Sequence, residues 1–163
     1  MKENIKPTEI LQNITPLLEK IVEENGLILL ETVFVKEAGV WTLRMFIYRE
    51  NGAITHEDCE TVTRAVDKYV DEFINVPYRL EVSSPGLDRK LKSEKEYKIF
   101  SGKRVKIKLK GYSGYPERGT NPFLATIVGY NEEEGLTVKT LDTDETLTLT
   151  KDWISLIKLE PEF

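Results

Sequence analysis

The sequence predicts an α+β fold in two parts, an N-terminal α-β-β-α-β domain followed by a small all-β domain. Three observations carry this. Two apolar stripes of helical period, one continuous apolar run and two alternating runs lie before the stop at residues 83–86. Beyond residue 103 the apolar runs are short and divided by turn residues, the first of them alternating strictly. Between the two regions, Ser83-Ser84-Pro85-Gly86 stops the third run: Pro85 cannot donate to a sheet ladder and biases Ser84 toward extended geometry, while Gly86 permits positive φ. The expected domains are residues 1–90 and 91–163, with Ser84, Pro85 and Gly86 as the hinge.

The first helix is read over residues 8–25, from Ile10, Ile14, Leu17, Leu18, Ile21 and Val22 at helical spacing. Thr8 is the expected cap and Gly26 the residue that ends the helix, while Pro16 should kink or divide it. Leu27 to Val35 reads as a strand, and Glu37-Ala38-Gly39 turns the chain. Trp41, Leu43, Met45 and Ile47 then alternate with Thr42, Arg44, Phe46 and Tyr48, so a second strand returns antiparallel. Asn51-Gly52 is a turn signal, and Thr55 with Asp58 three residues on resembles a capping box. Cys59, Val62, Val66, Tyr69, Val70 and Phe73 give the second helix its buried stripe, Asn75-Val76-Pro77 ends it, and Tyr78, Leu80 and Val82 mark the third strand. Both helices on one sheet face would bury every stripe, leaving Arg44, Phe46 and Tyr48 on the open face.

In the second part, Ser93 to Phe100 reads as a helical turn or connector. Strands follow at residues 104–110, 123–130, 136–141, 146–150 and 154–159, with a Gly/Pro-rich loop at 111–122 and a single helical turn at Lys151-Asp152-Trp153. Five short strands in so few residues fit an SH3-like or Sm-like small β-barrel.

Charge is segregated along the chain. The net charge is −5, yet Arg89 to Lys110 holds ten Lys/Arg against Glu94 and Glu96, a balance of +8 with −13 elsewhere. Arg104, Lys106, Lys108 and Lys110 share one strand face, with a step of about 6.6 Å between alternate side chains that suits phosphates along a backbone. A solvated strand protected by lysines against edge pairing is the plainer reading of that row alone. The upstream Arg89, Lys90, Lys92, Lys95, Lys98 and Lys103 favour a polyanion surface. Tyr112, Tyr115 and Arg118 in the loop are candidates for stacking or contact, while Tyr97 and Phe100 read as core. Glu57, Asp58, Glu60, Asp67, Asp71 and Glu72 give the second helix an acidic face, which suits solubility or a basic protein partner.

Catalysis, metal binding and cofactors are not expected. His56 is the one histidine, in a helical first turn beside Glu57 and Asp58, and Cys59 falls on an apolar stripe as an inert thiol. One His and one Cys cannot assemble a usual zinc site, and no phosphate-loop or dinucleotide motif is present. Ser83 and Ser84 lack an evident base, so local hydroxyl-to-backbone bonding is the better reading. The single cysteine, the N-terminal MKENIKPTEI without an apolar core, and the absence of a run of about 20 apolar residues point to a cytoplasmic protein, not a membrane one.

The stretch LEVSSPGLDR, followed by Leu91, resembles the signature of the bacterial ribosome maturation factor RimP family. Residues 24–67 resemble that family's first domain, and SGKRVKIKLK, FLATIVGY and IKLEPEF resemble its second. The resemblance implies a non-enzymatic cytoplasmic factor, and a monomer without small-molecule substrate is expected. Its partner would be the small ribosomal subunit, through rRNA and a basic ribosomal protein, and it would assist late rRNA folding and protein incorporation. The rRNA candidates are Arg89, Lys90, Lys103, Arg104, Lys106, Lys108, Lys110, Tyr112 and Arg118, and the protein-partner candidates Glu57, Asp58, Glu60, Asp67 and Asp71. This chain departs from the family pattern at Lys90, where proline is common, at Ala125, where glycine is frequent, and in its longer 111–122 loop. A protein-interaction adaptor without RNA contact is the alternative.

Overall fold

The computed structural model describes residues 6–50, 52–86 and 88–160. They divide into two compact units, the break falling between Pro85 and Gly86. The expected Asn51-Gly52 turn falls partly, and the terminal EPEF mostly, outside the described residues.

In the first unit the order is α1 (Pro7–Glu24), β1 (Ile28–Glu37), β2 (Val40–Tyr48), α2 (His56–Val70) and β3 (Tyr78–Ser83). Helix α1 begins earlier than Thr8: Lys6 is its N-cap, with no side-chain cap bond, and Pro7 occupies the first turn, where its missing N–H costs nothing. The helix runs through Pro16, which lies on the exposed side. There the carbonyl it leaves without a helical donor can be hydrated. The buried stripe Ile14, Leu18, Ile21 and Val22 spans the proline and holds both halves to one core. At the other end Gly26 takes φ +74°, with Gly26 N–H donating to Glu23 O at 2.9 Å and Leu27 N–H to Val22 O at 3.2 Å. That is the Schellman pattern.

Strands β1 and β2 pair antiparallel from Ile28↔Tyr48 to Glu37↔Val40, so β1 reaches two residues beyond its expected end, up to a two-residue turn at Ala38-Gly39. Helix α2 starts with a complete capping box between Thr55 and Asp58. It crosses back over the sheet and delivers β3 parallel to β2, giving the order β1-β2-β3. Both helical stripes meet Phe34, Leu43, Met45 and Ile47 on one sheet face. Each fully buried side chain of this size stabilises by roughly 1.5–3 kcal/mol. On the opposite face Arg44, Phe46 and Tyr48 are half-buried, and Arg44 is gripped by Glu37 at 2.8 and 2.9 Å and by Glu81 at 2.9 Å.

The second unit holds α3 (Glu94–Ile99) and strands β4 (Arg104–Leu109), β5 (Phe123–Asn131), β6 (Gly135–Thr140), β7 (Thr146–Leu149) and β8 (Ile154–Leu159). They form one antiparallel sheet in the order β7-β6-β5-β4-β8, compatible with a small barrel. Single turns of 3-10 helix sit at Pro116–Arg118 in the long loop and at Lys151–Trp153 before the last strand. The inner face buries Val105, Ile107, Leu109, Ala125, Ile127, Leu136, Val138, Leu147, Leu149 and Ile157, with Tyr97 and Phe100 of α3. Gly135 sits at φ +98°, and a Cβ there would collide with the Leu149 carbonyl, so β7 comes this close only because the position is glycine.

Candidate nucleic-acid interface

Strand β4 separates its side chains as alternation requires. Val105, Ile107 and Leu109 point into the core, and Arg104, Lys106, Lys108 and Lys110 lie on the outer side. The register adds residues that sequence order hides. Lys106 is paired with Lys158 on β8, and Lys158 is bridged in turn to Lys90. Directly paired residues project from the same face, so Lys90, Lys158 and Lys106 form a row across the strands, meeting the lysine row along β4 at Lys106. Adjacent strands are about 4.8 Å apart. Like charges directly opposite each other are destabilising, so this row has a standing cost to the fold. Lys90 is exposed, Lys106 and Lys158 half-buried, consistent with apolar stems along the sheet and ammonium groups in water. Lys103 is exposed just ahead of β4. Lys158 carried no signal in the sequence beyond one alternating position.

Two residues expected at this surface are used otherwise. Arg89 turns inward: its side chain is 6% exposed and meets Glu96, 2% exposed, with Nε–Oε2 3.1 Å and Nη2–Oε1 3.0 Å. Period-2 alternation through the bridged segment places Arg89 and Leu91 on the inner side and Lys90 on the outer. Glu96 is held by Ser93, whose hydroxyl caps α3 by accepting from Glu96 N–H. The Ser93-x-x-Glu96 spacing was the available sign of that helix start. Arg118 is 11% exposed, forks onto Asp142 at 2.8 and 3.1 Å, and lies over the Phe123 ring. That bidentate pair holds the Asp142 carboxyl down to about 2. Neither guanidinium is presented to a ligand.

Of the loop aromatics, Tyr115 donates nothing to a free surface: its hydroxyl accepts from Thr148 N–H, and its ring meets Trp153 edge-on. Tyr112 is 63% exposed, with the Lys110 ammonium 5.8 Å from its ring centre.

The acidic residues of α2 also divide. Asp58 is committed to the capping box and to Arg49 at 2.6 Å; the Thr55 backbone N–H, then Arg49, hold its carboxyl below the usual carboxylate range. Asp71 accepts from the Tyr78 hydroxyl at 2.5 Å. Glu57, Glu60 and Asp67 are exposed. Asp67 and Asp71 rim an open groove of about 660 Å³ whose floor includes Ile74, Val76 and Leu80. His56 is exposed at the helix start; Cys59 is half-buried, and burial pushes its thiol pKa up. Ser83 donates to the Ser84 carbonyl at 3.1 Å, the local bonding expected of a turn hydroxyl. Gly86 keeps out of the left-handed region, so the turn does not use the conformational freedom expected of it; its carbonyl accepts from Arg89 N–H at 3.2 Å.

Residues 17–88 match the family model of the RimP N-terminal domain. The chain carries a RimP N-terminal domain. The matched span takes in the C-terminal part of α1, the three-stranded sheet, α2 and the LEVSSPGLDR segment up to its final arginine. The resemblance drawn from that segment is therefore met by the fold and by the family model together, and RimP is a family of ribosome maturation factors. The family match ends at Asp88, and the basic face described above lies in the second unit, which begins at Gly86. Among the described residues no helix is long and apolar enough to cross a membrane, and no cluster of three or more metal-ligating side chains occurs.

Proposed function

We propose that this RimP-family chain is a non-catalytic maturation factor that binds the small ribosomal subunit and assists late rRNA folding and ribosomal-protein incorporation. It acts in the cytoplasm, as a monomer and without cofactor. The single observation that carries the reading is the lysine array on the outer sheet face, where Lys90, Lys158 and Lys106 cross Lys108 and Lys110. A row of like charges held at a cost to folding makes physical sense when a polyanion neutralises it. The two units act as the two domains, joined at Ser84, Pro85 and Gly86; the boundary lies at residues 85–86, ahead of the expected residue 90, because Arg89, Lys90 and Leu91 pair with the second unit. The acidic stripe Glu57, Glu60 and Asp67, with the groove beside Asp71, supports contact between the first domain and a basic ribosomal protein.

Exchange of Lys106, Lys108 and Lys110 for Glu tests the reading. Affinity for purified small subunits should fall, and the log–log salt slope should flatten by roughly 0.7–0.9 for each lost phosphate contact. Unchanged affinity and slope would favour the adaptor that touches protein alone.

A further inference from the structure

We infer that the outer sheet face of the second unit recognises the phosphate backbones of double-helical RNA, not unpaired bases; this rests on the polyanion reading above. Two features of the surface carry the inference. The first is its shape. The charges are spread in two directions, about 6.6 Å apart along β4 and about 4.8 Å apart across Lys106, Lys158 and Lys90. A single strand is usually followed by a groove with one line of charge and stacking platforms. An array broad in both directions fits two backbones at once, as they lie on either side of the narrow major groove of an A-form helix.

The second is the side-chain chemistry. Recognition of unpaired bases relies on exposed aromatic faces. In this unit Tyr97 and Phe100 are buried, Tyr115 and Trp153 pack against each other, Phe123 lies under Arg118, and Tyr130 packs against Tyr97. Tyr112 is the exposed aromatic among the described residues here, and it lies beside Lys110 at the margin of the array. The array itself is nearly all lysine, a point charge that suits phosphate, with no Asn or Gln among its residues to read a base edge.

The experiment measures binding of the full chain to a 20-base-pair RNA duplex and to a 20-nucleotide oligouridine, by fluorescence anisotropy across a salt series. Lys158→Gln and Lys158→Glu are run beside the natural chain. The duplex should bind at least about tenfold more tightly, with a slope reduced by roughly 0.7–0.9 in each Lys158 variant. Lys158→Glu should also raise the unfolding midpoint, because it replaces a repulsive cross-strand neighbour of Lys106 with an attractive one. Loss of binding in a more stable protein separates recognition from folding. Equal or tighter binding of oligouridine would overturn the duplex inference and leave the polyanion reading standing. No salt-dependent binding to either RNA would overturn both.

Discussion

Removing the Arg89 guanidinium would leave Glu96 buried in the second unit without its bidentate partner. The two side chains are 6% and 2% exposed, and both bonds are near 3 Å, so solvent screens the pair little. Deleting one member of such a pair costs about 3–5 kcal/mol, since the remaining charge keeps its desolvation penalty. Against a typical domain stability of roughly 5–15 kcal/mol, Arg89→Ala should bring the second unit close to unfolding. Replacing both members by apolar residues of similar volume is often neutral or better, so Arg89→Met with Glu96→Leu should recover most of the loss. The two tryptophans allow a selective reading: Trp41 is in the first unit and Trp153 in the second. In a Trp41→Phe background, urea unfolding followed by Trp153 emission reports the second unit. The expected order of midpoints is natural chain, double variant, then Arg89→Ala well below. An unchanged midpoint for Arg89→Ala, coupled to weaker RNA binding, would refute the buried-pair argument and return Arg89 to the surface.

Two further outcomes follow from named contacts. Asp142 is held down to about 2 from an ordinary value of 3.8, chiefly by the Arg118 hydrogen bond, so its stabilisation is present above about pH 4 and is lost as pH falls toward 2. Asp142→Asn should therefore lower the thermal midpoint at neutral pH, and the gap to the natural chain should close between about pH 4 and 2. Gly135→Ala should destabilise the second unit by at least about 1–3 kcal/mol in urea melts, because the position combines φ +98° with close approach of the Leu149 carbonyl; a loss below a few tenths would show that β6 and β7 can separate there.

Local pattern made most of the first unit legible. A continuous apolar run placed its first strand, period-2 stripes the other two and period-3.6 stripes both helices, and Thr55 with Asp58 marked the start of α2 soon after the turn signal. Pro16 was harder to read, because its tolerance depends on which side of the helix meets water, and that is settled by the sheet below. The lysines of β4 were legible for the same reason as the strand itself. What stayed hidden were pairings set by long-range register: Lys158 lies far along the chain from Lys106, yet directly beside it. The fates of Arg89 and Arg118 were hidden too. A sequence reading counts a guanidinium as surface charge unless its acid is known, and Glu96 and Asp142 become partners only when the chain folds. The parallel arrival of β3 beside β2 likewise depends on how α2 crosses the sheet.

Residues 89–91 have a consequence for how this protein can be divided. Leu91 N–H donates to Ile157 O and Leu159 N–H to Arg89 O, each at 2.9 Å, so this short segment covers the outer edge of β8. A fragment beginning at Lys92 would uncover the β8 backbone there, a template on which another chain can add. It would also lack the arginine that neutralises Glu96. A second-unit fragment that begins before Gly86 should stay soluble and single, whereas one beginning at Lys92 should self-associate. The few residues that carry the family signature thus also guard the protein against its own copies.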